Sequence, residues 1–264
     1  MAVALERVGL QRPAYRMWEW GQTAYALPEL LFPARRLGSD GLPLPPPLLR
    51  VQVSGTARAE EFIAQSHRAA RTVRDMVRLA GREFEALEAV FDFGCGCGRV
   101  MRRWSDVSGP AFVGSDYNRN LVDWCRTNLP FASFEVNGLT PPLPFADEQF
   151  ELVYSLSVFT HLTEPLQNEW IAELRRVTKP GGLILLTTRG DAWAWKLTSQ
   201  ERARYDRGDL VVRYREVTGT NLCAAFHPSR YVRELLGRSF ALKQSVAVGL
   251  EDGLQDVHLA ERTD

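Results

Sequence analysis

The stretch FDFGCGCGRV, residues 91–100, decides the fold of this chain of 264 residues. The apolar run Ala89–Phe93 leads into three glycines at alternate positions, which predicts a buried strand that ends in a tight loop. The two cysteines between the glycines could instead hold a metal, but no second Cys or His pair has a zinc-like spacing. We therefore interpret the stretch as a ligand-binding loop and predict no metal site.

On either side of this loop, short apolar runs alternate with segments of helical periodicity. Strands are predicted over 89–93, 111–116, 134–137, 150–157, 183–188, 241–248 and 255–260, and helices over 60–80, 118–129, 165–178 and 227–237. Strands that alternate with helices indicate a parallel sheet covered on both faces, and right-handed crossovers make such a sheet doubly wound. The last two strands are expected to form an antiparallel pair at the edge.

Two regions fall outside this alternation. Residues 1–58 are predicted to form an N-terminal arm or cap, irregular over its first 50 residues and extended in the proline-rich segment 42–47. Its aromatic residues, which could pack over a pocket, include Tyr15, Trp18, Trp20 and Tyr25. The remaining domain, 59–264, contains a polar and aromatic segment, 191–225, that we predict to be a lid insertion.

The charge balance restricts the partners. Thirty-two basic residues balance 32 acidic ones, so no overall positive field would recruit a nucleic acid. Glu6 and Arg7 interrupt the first apolar run, which therefore does not resemble a secretory signal. No apolar run approaches the about 20 residues that span a bilayer. A cytoplasmic protein with no membrane span and no nucleic-acid partner is expected.

The polar residues around the glycines indicate the kind of ligand. The spacing Asp92-x-Gly94-x-Gly96-x-Gly98 fits neither the dinucleotide fingerprint nor a P-loop. Asp116 ends the second predicted strand, where a carboxylate can accept hydrogen bonds from both hydroxyls of a ribose. Asp92 precedes the loop and could meet an ammonium group. The two acids suit a ligand with a ribose at one end and a cationic amine at the other.

Four segments together resemble the class I S-adenosylmethionine-dependent methyltransferases, in their bacterial small-molecule branch. They are VFDFGCGCGRV, VGSD, FELVYSLSVFTHL and RRVTKPGGLILLTT, and the resemblance covers roughly residues 60–262. It implies S-adenosyl-L-methionine as the cofactor. It also implies a Rossmann-like, doubly wound α/β fold, with seven strands in the order 3-2-1-4-5-7-6 and strand seven antiparallel.

The resemblance also implies positions for the cofactor contacts. The methionine end would contact Asp92, Gly94, the backbone of Cys95, Gly96, Gly98 and Ser155. The ribose would lie against Asp116, and the adenine against Tyr117, Asn137, Gly138 and Leu139.

Two histidines are candidates for the acceptor side of the site. His161 follows the fourth predicted strand and could act as a general base near neutral pH, or it could satisfy backbone groups of the turn. His227 precedes a helix and could contact the substrate, or it could be a neighbour of the helix N-terminus. Methyl transfer from a sulfonium is an in-line displacement, for which positioning can supply most of the acceleration.

Two absences narrow the expected reaction. The fourth strand ends in YSLS and not in the Asn/Asp-Pro-Pro-aromatic sequence that resembles enzymes that methylate amino groups of nucleic acids. No acidic cluster follows this strand that could bind Mg²⁺. We expect metal-independent methylation of a small-molecule acceptor, with a hydroxyl favoured, such as a sugar, a lipid precursor or a natural product. The alternatives are an NAD(P)-dependent Rossmann oxidoreductase and a non-catalytic cofactor-binding regulatory subunit.

Overall fold

The computed structural model describes residues 11–23, 37–250 and 254–264. Its strands are β1 Ala89–Phe93, β2 Ala111–Asp116, β3 Ser133–Val136, β4 Phe150–Ser155, β5 Thr178–Thr188, β6 Val211–Arg213, β7 Ala224–Phe226, β8 Phe240–Leu250 and β9 Gln255–Arg262. Seven of them form one sheet in the order β3-β2-β1-β4-β5-β9-β8. Strands β1 to β5 are parallel, and β9 lies antiparallel between β5 and β8. The predicted fold class and strand order are therefore confirmed.

The helices connect these strands much as the periodicity predicts. They are α1 Gln11–Thr23, α2 Pro47–Ser54, α3 Ala59–Leu79, α4 Arg119–Asn128, α5 Glu164–Val177, α6 Ser199–Asp206 and α7 Ser229–Gly237. The four helices predicted from sequence are present, and their ends agree to within two residues. β5 is longer than predicted, because Thr178 already pairs with Phe150 of β4 five residues before the apolar run begins.

Two apolar layers cover the two faces of the sheet. Successive side chains of β1 alternate between them, with Val90 in the layer that contains α3 and α4. Phe91 and Phe93 lie in the other layer, with α5 and α7. Both faces are covered, as a parallel sheet requires.

The register of the central strands brings polar residues together at the carboxyl ends of these strands. Asp92 pairs with Gly114 of β2 on one side and with Tyr154 of β4 on the other. The glycine loop then leaves the end of β1, and the backbone N–H groups of Gly94 and Cys95 donate to the carbonyl of Ser115 at 2.8 and 2.9 Å. The loop is followed by a 3-10 helix, Met101–Trp104.

The prediction that the first 50 residues are irregular is wrong for two segments. α1 and the start of α2 are helical, and Pro47 occupies the first turn of α2, where a missing N–H costs nothing. Trp20 is 66% exposed and therefore does not pack over a pocket. Tyr25 lies outside the described residues, as do the side chains of Tyr15 and Trp18.

The segment 191–225 also contains structure that the sequence did not predict. A 3-10 helix, Asp191–Lys196, precedes α6, and β6 pairs antiparallel with β7 to form a separate two-stranded sheet. Strands of three residues are too short to show an alternating pattern. Thr198 and Glu201 form a capping box at the start of α6.

A buried ion cluster attaches the arm to the domain. Asp40 accepts two hydrogen bonds from Arg102, at 2.6 Å to Nε and 2.8 Å to Nη2, and also pairs with Arg103. The Asp40 side chain is 8% exposed and that of Arg102 is fully buried. Removing one partner from such a pair leaves an uncompensated buried charge.

We therefore expect Asp40→Ala to lower the free energy of unfolding by about 3 kcal/mol, because Arg102 would lose its only carboxylate among the described residues. Urea denaturation measures the change. Asp206→Ala is the matched control, since its pair with Arg202 is half exposed and should contribute less than about 1 kcal/mol. Equal losses in the two variants would contradict this account of the arm.

Candidate functional site

A cavity of about 530 Å³ lies where β1, β2 and β4 end. The core domain, the arm and the segment 191–225 all contribute to its wall. Residues that line it include Asp92, Gly94, Cys95, Gly96, Arg99, Asp116, Tyr117, Asn137, Gly138, Leu139, Ser157, Val158 and His161 from the domain, Arg16, Glu19, Gln52 and Val53 from the arm, and 218–222 from the insertion. A concave site at the carboxyl ends of parallel strands is where open α/β sheets bind ligands.

The glycines of the loop are required by backbone conformation and by close contacts. Gly94 and Gly96 have φ angles of +80° and +57°, which residues with a Cβ adopt only with strain. A Cβ on Gly94 would lie 2.2 Å from Cγ2 of Val158, and one on Gly96 would lie 2.7 Å from Cγ2 of Val53. The loop is therefore held tightly between the end of β4 and the arm.

The two cysteines of the loop are buried, and only Cys95 lines the cavity. Cys95 and Cys97 are 4% and 0% exposed, and the Sγ of Cys97 lies 3.7 Å from the carbonyl of Leu49. Burial raises the pKa of the Cys97 thiol well above its usual value, which makes it unreactive. Within residues 11–23, 37–250 and 254–264, no cluster of three potential metal ligands is present.

Asp92 is a buried acid at the base of the cavity. It is 3% exposed and accepts a hydrogen bond from the hydroxyl of Tyr154 at 3.0 Å, which in turn accepts one from Nε1 of Trp104 at 3.0 Å. Burial raises the pKa of Asp92 to about 7, against the opposing effects of the Tyr154 hydrogen bond and the positive charge of Arg99. A group with this pKa becomes a stable anion when a cation is bound beside it.

Asp116 is the second acid on the same wall. Its Oδ2 accepts from the backbone N–H of Gly96 at 3.0 Å, and its Oδ1 accepts from that of Asn118 at 2.8 Å. Burial raises its pKa to about 6, while these backbone N–H groups oppose the rise. Each carboxylate oxygen keeps a second lone pair, so the carboxylate can still accept from a diol.

The rim beyond Asp116 is partly apolar. Tyr117 is 44% exposed and Leu139 is 39% exposed, and both line the cavity beside Asn137 and Gly138. The Oδ1 atom of Asn137 is buried and has no hydrogen-bond partner in the part of the chain that the structure describes. A flat ligand with an N–H group would find apolar contact and an acceptor here.

Three of the residues predicted for the site do not line the cavity. A Cβ on Gly98 would lie 2.3 Å from Leu129, so Gly98 serves the packing of the loop on α4. Ser155 is fully buried, and its neighbours Leu156 and Ser157 line the cavity in its place. His227 is 1% exposed, and its Nε2 lies 3.1 Å from Nε2 of Gln167.

His161 lines the cavity, but other groups already contact both of its ring nitrogens. Its Nδ1 donates to the carbonyl of Cys223 at 2.7 Å, and its Nε2 lies 3.5 Å from Nη2 of Arg189. Burial and the positive charge of Arg189 lower the pKa of His161 to about 3. An imidazole with this pKa is a weak base, and the contacts with Cys223 and Arg189 favour the structural alternative.

Some lining residues were not predicted. Arg99 is 7% exposed and lines the cavity together with Asp92, and its place directly after the last loop glycine was the available signal. Ser157 has a φ of +65°, and its Oγ accepts from Nε2 of Gln255 at 3.0 Å. Nothing in the local sequence indicates that contact, because Gln255 is 98 positions away.

Residues 91–186 match a family model described as a methyltransferase domain. The chain is 37% identical over 100 residues to a malonyl-(acyl-carrier protein) O-methyltransferase of Erwinia pyrifoliae, covering 38% of this chain and 36% of that protein. It is 30% identical over 124 residues to a probable tRNA methyltransferase 9B of Homo sapiens, covering 47% of this chain and 24% of that protein. The chain thus spans well under two thirds of the lengths of these relatives.

A solved structure shares the fold. Magnesium protoporphyrin IX methyltransferase from Synechocystis PCC 6803 with bound SAH superposes with a TM-score of 0.55 at 15% identity, over 77% of this chain and 87% of that one. None of the helices among the described residues is long and apolar enough to cross a membrane.

Proposed function

Because this chain belongs to the class I S-adenosylmethionine-dependent methyltransferases, with S-adenosylmethionine as its cofactor, we propose that it transfers the cofactor's methyl group to an oxygen of a small-molecule acceptor. The pair of buried acids, Asp92 and Asp116, on either side of the glycine loop supports the cofactor part of the proposal, and the similarity to a malonyl-(acyl-carrier protein) O-methyltransferase supports the oxygen acceptor. The NAD(P)-dependent alternative is not favoured, since the family match is to methyltransferases.

The residues of the cavity fit the cofactor from one end to the other. Asp92 would hold the α-ammonium group, and Arg99, which lines the cavity with it, would hold the α-carboxylate. Asp116 would accept from the ribose hydroxyls through its remaining lone pairs. Tyr117 and Leu139 would contact the adenine ring, whose amino group suits the buried Oδ1 of Asn137.

The arm and the insertion together enclose this cavity. Val53 of the arm packs on Gly96, and a Cβ on Gly219 of the insertion would lie 2.5 Å from Leu139. The two covering segments also meet each other, because Nδ2 of Asn221 donates to the carbonyl of Gln52 at 2.5 Å. We infer that residues 1–58 act as a cap and 191–225 as a lid, which together exclude water from the site.

S-adenosylmethionine would supply a methyl group already activated by the sulfonium, and the chain's own residues would align the acceptor oxygen with it. The S–C bond would break as the C–O bond forms, S-adenosylhomocysteine would leave, and a hydroxyl acceptor would release its proton to water. His161 would act in this as a positioning residue that joins the turn after β4 to the insertion. Its carbonyl accepts from the backbone N–H of Gly219 at 2.8 Å, while its ring donates to the carbonyl of Cys223. A pKa of about 3 leaves it unsuited to take a proton from a hydroxyl.

Labelled methyl transfer into fractionated cell extract tests the proposal. We expect label from S-adenosylmethionine to appear in the small-molecule fraction. Label in the RNA fraction alone would contradict the small-molecule acceptor, which is favoured here by the balance of 32 basic and 32 acidic residues. Binding of S-adenosylhomocysteine without label in any fraction would favour the non-catalytic alternative.

A further inference from the structure

Arg189 is a cation that lies behind the cavity wall, in contact with the lining residue His161 but not itself lining the cavity, and it has no carboxylate partner among the described residues. It directly follows β5, the strand beside β4, and is only partly exposed. Its Nη1 donates to the carbonyl of Thr160 at 2.7 Å, and its Nη2 lies 3.5 Å from His161, which lines the cavity. These contacts fix the guanidinium next to the cavity wall. Its other N–H groups remain able to donate to a ligand.

A second cation lies close by, on the insertion. The ammonium group of Lys196 is 4.0 Å from the centre of the Trp193 ring, and the guanidinium carbon of Arg189 is 5.4 Å from the same centre. Burial lowers the pKa of Arg189 to about 10, and burial together with the charges of Arg189 and Arg213 lowers the pKa of Lys196. Two cations therefore contact one aromatic ring, with Arg189 partly buried and Lys196 exposed.

The neighbouring acids do not compensate these charges. Within the described ranges, Asp191 accepts from the hydroxyl of Tyr205, Asp256 accepts from the backbone N–H of Val248, and Glu201 pairs with Arg213. No carboxylate of the described residues contributes to the shifted pKa of either Arg189 or Lys196. Burial of a cation without a carboxylate partner is unfavourable, and an anionic ligand bound beside Arg189 would reduce that cost.

We propose that Arg189 and Lys196 form an anion site at the carboxyl end of β5 that holds a carboxylate or phosphate group of the methyl acceptor. The proposal rests on the proposed function, because it takes the anion to be a group of the methyl acceptor. Arg189 provides a planar fork suited to two oxygens, and Lys196 adds a second charge on a movable side chain. The acceptor class is thereby narrowed to anionic small molecules.

Calorimetric titration of the protein saturated with S-adenosylhomocysteine tests the site, with malonate and inorganic phosphate as separate probes. Saturation occupies the cofactor's own carboxylate position, so a probe cannot bind there. We expect one anion to bind per chain, with at least tenfold weaker binding in Arg189→Gln and several-fold weaker binding in Lys196→Gln. Tighter binding of malonate would assign a carboxylate to the site, and tighter binding of phosphate a phosphate.

Arg207→Gln is the matched control, since Arg207 lies on the same insertion and pairs with Asp209 at the surface. It should leave anion binding unchanged. Absence of binding by the wild type, or equal weakening in Arg189→Gln and Arg207→Gln, would overturn the proposal. Binding of S-adenosylhomocysteine separates the anion site from the proposed function. Arg189→Gln should bind S-adenosylhomocysteine as tightly as the wild type does, whether or not the anion site exists. If neither the wild type nor any variant binds S-adenosylhomocysteine, the proposed function is contradicted.

Discussion

Gly96→Val is expected to weaken the binding of S-adenosylhomocysteine at least a hundredfold, which corresponds to about 2.7 kcal/mol. The φ of Gly96 is +57°, and a Cβ there would lie 2.7 Å from the Cγ2 atom of Val53. A valine must therefore move the loop or the arm, and the N–H of Gly96 would lose its hydrogen bond to Asp116. Isothermal titration calorimetry measures the loss, and circular dichroism verifies that the variant is folded.

Two control variants separate the local effect from general strain. Gly81 has a similar φ of +74°, but a Cβ added there would meet no atom of the described residues within 4 Å, so Gly81→Val should bind the cofactor product normally. The double variant Cys95→Ser with Cys97→Ala should also bind it, because both thiols are buried and the substitutions keep the loop's backbone N–H groups. Binding by Gly96→Val within threefold of the wild type would contradict the role given to the glycine loop.

Asp92→Asn is expected to make the unliganded protein more stable at pH 8 and to abolish binding of the cofactor product. Burial raises the pKa of Asp92 to about 7, from about 3.9 in an unfolded chain. The folded protein therefore holds a proton that the unfolded chain releases, so stability falls as pH rises from about 4 to 7. Asparagine is neutral throughout and can still accept from Tyr154, so the variant avoids that loss.

The expected gain in the free energy of unfolding is about 4 kcal/mol at pH 8, and it should shrink steadily below pH 7 and vanish near pH 4. Urea denaturation at a series of pH values measures it. In the wild type, binding of S-adenosylhomocysteine should weaken as pH falls through about 7, because the ammonium group requires the ionised Asp92. A variant that is less stable than the wild type at pH 8, or that still binds tightly, would refute this role.

Much of the fold could be predicted because its signals are local. The strand Ala89–Phe93 and the glycines after it form one continuous pattern, and Asp116 ends a second apolar run. Carboxyl ends of adjacent parallel strands meet at one edge, so the two acids could be assigned to one site from the sequence alone. The raised pKa of Asp92 could not be predicted, since it results mainly from burial by segments that are distant in the sequence.

The unpredicted parts depend on contacts between distant segments. The ring of His161 contacts Arg189 and Cys223, 28 and 62 positions away, and these contacts favour a structural role over that of a base. Ser155 follows the predicted strand pattern, but its side chain is fully buried and its neighbours line the cavity. The helix α1 and the short strands β6 and β7 have patterns too weak to recognise without their packing partners.

Thermal denaturation with S-adenosylhomocysteine tests the central claim most directly. At a ligand concentration about 100 times the dissociation constant, binding adds about 2.7 kcal/mol, which should raise the melting temperature of the wild type by about 5 to 10 °C. Asp116→Ala should lose most of that rise, because it removes the acceptor for the ribose hydroxyls. No shift of the wild type with S-adenosylhomocysteine, together with a shift with NADP, would contradict the account.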